Sequence, residues 1–289
     1  MASTDERLLA GLERLAAVTT LLQRIRLAHP TAGLYEAADL QWSWRKPRST
    51  DGILQPLWYD RDGRPEAAVV ATDWGDRVAL DPMVQPGLPP ERIVGTMERG
   101  LVLAQASGFA TVGLEVDPAD VVLPAVLAAH GFRVSGRGYV ESWLPAEARP
   151  PVSALATGYR LMGRDERAAA AYHLVARNGV AVEERLRQTS LYRPDLDLAV
   201  LDPTGEVAAY GLFWFDPVSR TGLVEPMRTE DAHQRRGLAR HILTAGIDRL
   251  AAAGATRIKI CFEPDNVAAR DLYLHAGFRP HRETITYSR

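Results

Sequence analysis

The sequence has few of the residues that form cross-links and metal sites, and it has no long apolar run. Cysteine occurs once in 289 residues, at Cys261, which excludes an intrachain disulfide and fits a reducing compartment. The histidines show no His-x-x-x-His spacing, so we expect no metal. No apolar run approaches the roughly 20 residues that cross a membrane, and the mixed charge of the first residues is unlike a signal peptide. The sequence therefore predicts a cytoplasmic protein without a membrane partner.

An excess of charge of either sign is also missing. The chain has 34 basic and 36 acidic residues, which leaves a formal net charge of −2. This balance provides no basic surface for nucleic acid. Lys46 and Lys259 are the only lysines, so arginine carries nearly all the positive charge. Apolar residues make up 46% of the chain, enough for the cores of two domains, and a monomer and a homodimer both stay open.

The apolar pattern predicts helices and strands in the same order in both halves. In the first half we expect a helix over 5–29, an irregular stretch over 30–56, a hairpin over 57–72, a strand at 77–80, a helix over 91–107, a strand at 112–116, a helix over 121–130 and a strand at 139–144. In the second half we expect helical stretches over 165–178 and 182–189, a hairpin over 198–215, a strand at 222–229, a helix over 238–253, a strand at 257–262, a helix over 266–275 and a strand at 284–287. This order predicts the α+β class.

The two halves form an internal repeat. Placing Gly108 against Gly254 keeps the register without a gap for about 25 residues. Upstream, Asp81-Pro82-Met83 matches Glu225-Pro226-Met227. We therefore predict a tandem duplication, with domains at 1–148 and 158–289 joined by a linker at 149–157.

Residues 234–239, Gln-Arg-Arg-Gly-Leu-Ala, lie between a predicted strand and a predicted helix. The first N–H groups of a helix lack intrahelical partners and bind anions. Gly237 allows the backbone to approach a ligand closely, and Arg235, Arg236 and Arg240 add charge where a phosphate would lie. This loop predicts a phosphate site.

The first half lacks these anion-binding signals. In the repeat register Glu91 faces Gly237 and Ile93 faces Ala239, and two prolines at 89 and 90 remove N–H donors. Asp120 faces Asn266, and Leu127 faces Tyr273. We expect only the second half to carry out chemistry.

The second half, over about 159–289, resembles the GNAT superfamily of acyl-CoA-dependent N-acetyltransferases. Gln234, Gly237 and Ala239 meet the pyrophosphate-loop pattern Gln/Arg-x-x-Gly-x-Gly/Ala, and residues 266–273 followed by Gly277 and Phe278 meet the later helix pattern. Residues 1–148 resemble a degenerate copy, in a tandem architecture similar to that of mycothiol synthase. The resemblance implies two GNAT-like acyl-CoA N-acyltransferase domains, each a mixed, mostly antiparallel sheet flanked by helices.

The resemblance also implies a binding site for acetyl-CoA. The pantetheine arm would pair with the backbone near Met227 and Thr229, and the pyrophosphate would lie on the N–H groups of 235–240. Asn266 would contact the cofactor side, and Tyr273 would face the thioester sulfur. The full set of expected cofactor residues is Met227, Arg228, Thr229, Gln234, Arg235, Arg236, Gly237, Leu238, Ala239, Arg240, Asn266, Ala269 and Tyr273. Independently, Pro226 cannot donate to a sheet ladder, so we expect the strand to be interrupted there and to open a slot beside the anion loop.

Acetyl transfer to an amine needs a base and a proton for the departing thiolate. Tyr273 is the expected acid, although a tyrosine at this helix position also fits simple core packing. Glu225 is the expected base, with an ordinary strand-end carboxylate as the alternative. Glu263 is a rival base, and Cys261 occupies a position where some GNAT relatives have a glutamate.

The expected function is acetyl transfer from acetyl-CoA to a primary amine of a metabolite or antibiotic-like small molecule, by direct attack in a ternary complex. Two alternatives stay open. One is a non-catalytic module that senses acyl-CoA, and the other is an acyltransferase that uses a larger acyl group. Trp42 and Trp44 are candidates for the wall of an acceptor pocket between the halves.

Overall fold

The computed structural model describes residues 5–289, which form two compact units. The first unit contains the described residues up to Leu40, then Pro47–Tyr139 and Arg282–Arg289. The second contains Gln41–Lys46 and Val140–His281. Over residues 5–289, no helix combines the length and apolar character needed to cross a membrane. The boundaries of the expected functional domains stay a prediction, because these units are defined by compactness alone.

The first unit is a mixed sheet flanked by helices. In chain order its elements are β1 (Asp5–Leu9), α1 (Gly11–Ala28), α2 (Ala37–Ser43), β2 (Gln55–Tyr59), β3 (Pro65–Asp73), β4 (Val78–Val84), α3 (Pro90–Ala106), β5 (Val112–Val116), α4 (Leu123–Ala129) and the start of β6 (Arg133–Pro145). Strands β1 to β4 pair antiparallel in sequence order, and β4 pairs parallel with β5.

The second unit repeats this plan. Its elements are β7 (Arg160–Gly163), α5 (Val175–Asn178), α6 (Val182–Arg187), β8 (Asp197–Leu201), β9 (Val207–Asp216), β10 (Thr221–Thr229), α7 (Leu238–Ala253), β11 (Arg257–Phe262), α8 (Val267–His275) and the start of β12 (Arg279–Ser288). Strands β7 to β10 pair antiparallel in sequence order, and β10 pairs parallel with β11. In each unit a long helix connects the two parallel strands, α3 in the first unit and α7 in the second.

Each sequence repeat gives its last strand to the other unit. Strand β12, at the end of the second repeat, pairs antiparallel with β5 of the first unit from Ile285 to Ser288. The second half of β6 pairs antiparallel with β11 of the second unit, where Phe262 lies opposite Val140. The compact units therefore do not coincide with the sequence repeats.

The core of the second unit lies between one sheet face and helices α7 and α8. Phe213, Ile242, Ile247 and Ile260 are fully or almost fully buried in it. Helix α7 approaches the sheet so closely that a Cβ at Gly246 would overlap the ring of Phe213. The first unit has a separate core, in which Leu127 of α4 is fully buried. Helix α7 therefore packs directly on the sheet of the second unit, and α4 contributes to the core of the first.

Most of the predicted elements are confirmed, and the α+β class with them. Helix α7 and strands β5 and β11 have the predicted bounds. Strand β7 was not predicted, and the stretch over 30–56 contains α2 and a short 3-10 helix, Ser49–Gly52. These additions are short, so helical or alternating periodicity could not reveal them.

Two predicted helices are wrong in extent. The helix over 5–29 is divided, because Ala10 is extended and Gly11 has a left-handed φ of 57°, so 5–9 pairs with β2 as a strand. The helix over 165–178 forms only as the 3-10 turn Asp165–Arg167 and the short α5. There the guanidinium of Arg164 donates to the carbonyls of Arg167 and Ala170, at 2.7 and 2.9 Å, which takes up acceptors that a continuous helix would use.

Candidate active site

Strand β10 is interrupted at its proline. Residues Thr221–Val224 pair with β9, a bulge follows, and pairing resumes at Met227–Thr229. The parallel pairing of β10 with β11 covers Thr221–Val224 only. The Glu225–Pro226 peptide at the bulge is cis. The predicted interruption is confirmed, and beyond it β10 and β11 part and leave backbone groups of Met227–Thr229 outside the ladder between them.

A loop with left-handed residues leads from β10 into α7. Arg235 has φ 58° and Gly237, the residue before α7, has φ 77°. Left-handed residues in a turn orient successive N–H groups into a concavity that binds anions. No side chain caps α7, and a Cβ at Gly237 would meet open space. Arg235, Arg236 and Arg240 are exposed, so the start of α7 presents free backbone donors and positive charge together.

Tyr273 lies on α8 with its ring in the core and its hydroxyl near two acidic groups. The ring packs against Phe262 and Phe278, at centroid distances of 5.8 and 6.3 Å. Burial raises the pKa of Tyr273 well above its usual value, and the charges of Glu225 and Cys261 raise it further. The phenol therefore keeps its proton throughout the neutral range, as a general acid must.

Glu225 lies at the bulge of β10. The indole Nε1 of Trp214 on β9 donates to its backbone carbonyl at 2.8 Å, which fixes the chain at the interruption. Besides burial, the charge of Glu225 raises the pKa of Tyr273. The rival base Glu263, in contrast, is exposed in the turn before α8. Glu225 and Cys261 therefore lie close enough to Tyr273 for their charges to act on its phenol.

Asn266 caps helix α8. Its side-chain oxygen accepts from the backbone N–H of Ala269 at 3.0 Å, and its backbone carbonyl accepts from Arg270. An N-cap asparagine satisfies a donor that the helix itself leaves unpaired. This contact fixes the start of the helix that carries Tyr273. Contacts of Asn266 and Ala269 with a cofactor stay predictions.

Comparison with known proteins places this geometry in a family. Residues 166–278 match the Acetyltransferase (GNAT) family. Residues 166–278 form a GNAT acetyltransferase domain. The match includes β10, the anion loop, α7, β11 and α8, so it spans every element that forms the candidate site. The predicted resemblance to the GNAT family and the predicted acetyltransferase class are confirmed, and acetyl-CoA is the cofactor that this family uses.

Relatives and solved structures extend the comparison to the whole chain. The chain is 28% identical to a mycothiol acetyltransferase of Clavibacter michiganensis subsp. michiganensis over 250 residues, 83% of this chain and 81% of the relative. A mycothiol acetyltransferase of Beutenbergia cavernae is 30% identical over 97 residues, 33% of each chain. A tandem GNAT protein from the clavulanic acid biosynthesis pathway matches with a TM-score of 0.69 and 16% identity, over 99% of this chain and 98% of that one. A GCN5-related N-acetyltransferase from Sphaerobacter thermophilus matches with a TM-score of 0.60, 19% identity, and 99% and 95% coverage. The tandem GNAT fold is thereby confirmed.

The first GNAT-like repeat differs at the matching positions. Pro89 and Pro90 begin α3, so its first turn lacks donors that the start of α7 has. Leu127 stands fully buried where the second repeat has Tyr273. Asp81, the counterpart of Glu225, is buried and accepts from the hydroxyl of Tyr35 at 2.7 Å. These differences support the prediction that the first repeat is catalytically silent.

A polar cluster that the sequence did not indicate anchors the segment 164–193 of the GNAT domain. The buried carboxylate of Asp197 accepts from Tyr172 and Tyr192, each at 2.7 Å, and lies 3.4 Å from His173 Nε2. Burial raises the pKa of Asp197 to about 6 and lowers that of His173 to about 3. The ring of Tyr192 contacts Trp214 at 6.3 Å. The segment is thus held over the sheet face that carries Trp214.

Trp42 and Trp44 are both buried in the second unit. The indole of Trp44 donates to Gln188 at 3.0 Å, and Arg185 stacks on its ring at 3.8 Å. Arg45 of the same short segment donates to Asn178 at 2.9 Å. Gln41–Lys46 therefore packs against the segment 178–191, and a role for the two indoles in acceptor binding stays a prediction.

A second group missed by sequence reasoning is a buried ion pair beside Cys261. Lys259 Nζ lies 3.3 Å from Glu141 Oε2, and both residues are 0% exposed. The indole of Trp143 donates to the other Glu141 oxygen at 2.8 Å. Lys259 interrupts an otherwise apolar strand pattern, which was the available signal. Its partner, which precedes the predicted linker, could not be identified from the sequence.

Proposed function

We propose that the chain transfers an acetyl group from acetyl-CoA to a primary amine of a small-molecule acceptor, by direct attack in a ternary complex. The observation that supports this most is the meeting of Tyr273 and Glu225 where β10 and β11 part. One is a buried phenol that keeps its proton, and the other is a carboxylate at the strand break. Aminolysis of a thioester requires an acid and a base near one reacting centre.

The cofactor would lie along the break and against the start of α7. The pantetheine arm would pair with backbone groups of Met227–Thr229 that the ladder to β11 does not use. The N–H groups of 235–240 would hold the pyrophosphate at the uncapped helix start. The proposed cofactor residues are those expected from the sequence: Met227, Arg228, Thr229, Gln234, Arg235, Arg236, Gly237, Leu238, Ala239, Arg240, Asn266, Ala269 and Tyr273.

In the proposed reaction Glu225 takes a proton from the acceptor ammonium. The neutral amine attacks the thioester carbonyl, the new C–N bond forms, and the C–S bond breaks. Tyr273 donates its proton to the leaving thiolate, the attacking nitrogen gives up its extra proton through solvent to the tyrosinate, and Glu225 releases its proton to solvent. The raised pKa of Tyr273 suits this role, because a phenol that ionised near neutral pH would add charge beside a departing anion.

The acceptor is proposed at the level of a small-molecule primary amine. The acceptor of the mycothiol acetyltransferases is the first compound to test, because two relatives bear that name. Trp214 and Tyr192, which pack together on the sheet face next to the Glu225 backbone, are the nearest candidates for its wall.

Calorimetry of acetyl-CoA binding tests the cofactor site. Wild type is expected to bind at micromolar affinity, whereas Gly237→Glu should lose binding because it places a carboxylate at the anion loop. Gly63→Glu is the matched control, since Gly63 also has a left-handed φ, 70°, and open space around its Cβ position. If both variants bind like wild type, the loop is not the pyrophosphate site. If wild type binds no acetyl-CoA and mass spectrometry finds no copurified ligand, the proposed function is wrong.

Turnover with a panel of amines then tests the reaction. Acetylation of one amine class, absent in Glu225→Gln, would support the proposal. A preference for a longer acyl-CoA over acetyl-CoA would instead support the larger-acyl alternative.

A further inference from the structure

A row of polar side chains crosses the face of the second sheet that points away from α7. Val224 and Ile260 face the core under α7, so their strand neighbours Leu223, Lys259 and Cys261 face the other way. In the register of β11 and β6, Lys259 lies opposite Trp143 and Cys261 lies opposite Glu141. Glu141, Lys259 and Cys261 are therefore close neighbours on one face.

This row reaches the candidate active site. Cys261 is the cross-strand neighbour of Glu141, and its charge acts on Tyr273 together with that of Glu225. In the parallel register, Leu223 of β10 is opposite Lys259 of β11. Glu225 follows Leu223 by two residues, at the bulge, so Lys259 is its diagonal neighbour across the strands. The buried ammonium thus lies on the strand next to the proposed base, and the buried carboxylate lies one strand further away.

The charges on this face can be counted. Glu225 and Glu141 contribute two negative charges, and Lys259 contributes one positive charge. By strand alternation, the other titratable groups on this face include Cys261 on β11, Tyr139 on β6 and Tyr210 on β9. Arg257 lies two residues before Lys259 on β11, further from the bulge, and Tyr192 covers Trp214. Fixed charges in a dry site act strongly on a neighbouring carboxylate.

We propose that the buried Glu141–Lys259 pair is a positioning element that sets the protonation of Glu225. The proposal rests on the proposed function, in which Glu225 is the base. Lys259 favours the ionised form of Glu225, and Glu141 opposes it, so the balance of the pair sets how readily Glu225 takes a proton. Glu141 belongs to β6, so a residue before the predicted linker completes the site of the second repeat.

The single cysteine gives a readout that needs no acceptor. Cys261 lies between the two carboxylates, so the pH dependence of its alkylation by iodoacetamide reports the local charge. In the full chain, Glu141→Gln should move the midpoint of that profile to lower pH, and Lys259→Met should move it to higher pH, each by about 1 pH unit or more. The double variant should return close to wild type. If the midpoint stays at its wild-type pH in both variants, or moves in the same direction by the same amount in both, the charges do not act on this row and the proposal is overturned.

The pH profile of kcat/KM tests the role itself, with acetyl-CoA and an amine turned over in the panel. Its acidic limb reports the base of the free enzyme. We expect the limb to move to lower pH in Glu141→Gln and to higher pH in Lys259→Met. If Glu225→Gln removes the limb but the two variants leave it in place, the pair is only structural and the inference is wrong. If Glu225→Gln keeps the limb, the base assignment of the proposed function has failed instead.

One further variant separates the effects of charge from effects on stability. Removing one partner of a buried ion pair leaves the other charge uncompensated and lowers the stability of the fold. We expect the larger loss of stability in Lys259→Met. Glu141→Gln keeps the shape and the acceptor for Trp143, so its predicted shift alone is decisive if Lys259→Met does not fold. Glu183→Gln breaks another ion pair, with Arg164 at 2.9 Å, and should lower stability without moving either profile. A shift in Glu183→Gln equal to that in Glu141→Gln would overturn the proposal.

Discussion

At the scale of single residues, Tyr273 satisfies both interpretations that its sequence position allows. Its ring is part of the core, between Phe262 and Phe278. Its hydroxyl is close enough to Glu225 and Cys261 for their charges to change its pKa. Core packing and proton donation are therefore two functions of one side chain, and they separate on removal of the hydroxyl alone.

Tyr273→Phe should lower kcat and leave binding of acetyl-CoA nearly unchanged. The phenyl ring keeps the core contacts, so only the proton donor is lost, and general acids contribute about 10²- to 10⁴-fold. Steady-state kinetics and calorimetry measure the two effects. Tyr287→Phe, a tyrosine of β12, is the control and should behave like wild type. A Tyr273→Phe enzyme with full kcat would contradict the assignment of the acid.

Asp81 shows what becomes of the Glu225 position in the first repeat. Burial raises its pKa to about 7, although the hydrogen bond from Tyr35 acts in the opposite direction. An unfolded aspartate titrates near 3.9. Between these values the folded chain holds a proton that the unfolded chain releases, so this residue makes folding less favourable as pH rises from about 4 to about 7.

Asp81→Asn should therefore stabilise the protein at pH 8 and have little effect near pH 4. Asparagine keeps the acceptor for Tyr35 and carries no charge to bury. The difference from wild type should grow by at most about 1.4 kcal/mol per pH unit across the window. Urea unfolding at several pH values measures it. Asp62→Asn, at an exposed aspartate, is the control variant, and a difference for Asp81→Asn that stays constant across this pH range would refute the argument.

At the scale of elements, a proline does not by itself produce the bulge. The first repeat has Pro82 on β4, yet the register of β3 and β4 runs without a shift from Asp73–Val78 to Ala67–Val84. In β10 the register shifts between Val224 and Met227. The indole of Trp214 donates to the Glu225 carbonyl at the bulge. Pro226 has no N–H to donate, so the ladder between β10 and β11 cannot continue through it. On the other side of β10, the packing of Trp214 from β9 accompanies the bulge.

The close approach of α7 to its sheet gives a prediction about two helical glycines. Gly246→Ala should destabilise the protein by about 1–3 kcal/mol, because the new methyl overlaps the fully buried ring of Phe213. Gly95→Ala on α3 should stabilise it by about 0.5–1 kcal/mol, since no atom lies within 4 Å of the added Cβ and alanine favours helix. Urea midpoints measure both. Equal changes in stability for the two substitutions would show that helix propensity, and not contact of α7 with the sheet, determines the effect.

At the scale of the whole molecule, the exchange of last strands links the two repeats. Strand β11 has β6 as its antiparallel neighbour in the second unit, and β12 completes the first unit beside β5. A fragment that begins at the predicted linker lacks the residues of β6. It also carries residues 282–289, whose partner strand is missing.

The predicted catalytic domain, 158–289, should not fold alone. Without β6, the apolar strand β11 becomes an open edge, which promotes aggregation. The fragment 133–281 keeps β6, omits the exchanged part of β12, and should be more soluble with more cooperative unfolding. Light scattering and urea unfolding compare the two. A monomeric fragment 158–289 that unfolds cooperatively would contradict this expectation.

The sequence by itself determined the family signals and the order of elements, and it predicts a division of labour between the repeats. The anion loop and the α8 motif are local patterns of consecutive residues, so α7 and β11 were predicted at their observed bounds. Gly237 and Tyr273 stand out against Glu91 and Leu127 because an internal repeat supplies its own comparison. The candidate acid and base came from these same local signals.

The tertiary structure alone decided which strands pair and which charges meet. Glu141 lies 118 residues before Lys259, and only the register of β6 on β11 makes them partners. Asp197 likewise gathers Tyr172 and Tyr192 into one buried group. Strand exchange and buried polar partners depend on long-range pairing, and periodicity along the chain carries no information about which distant strand completes a sheet.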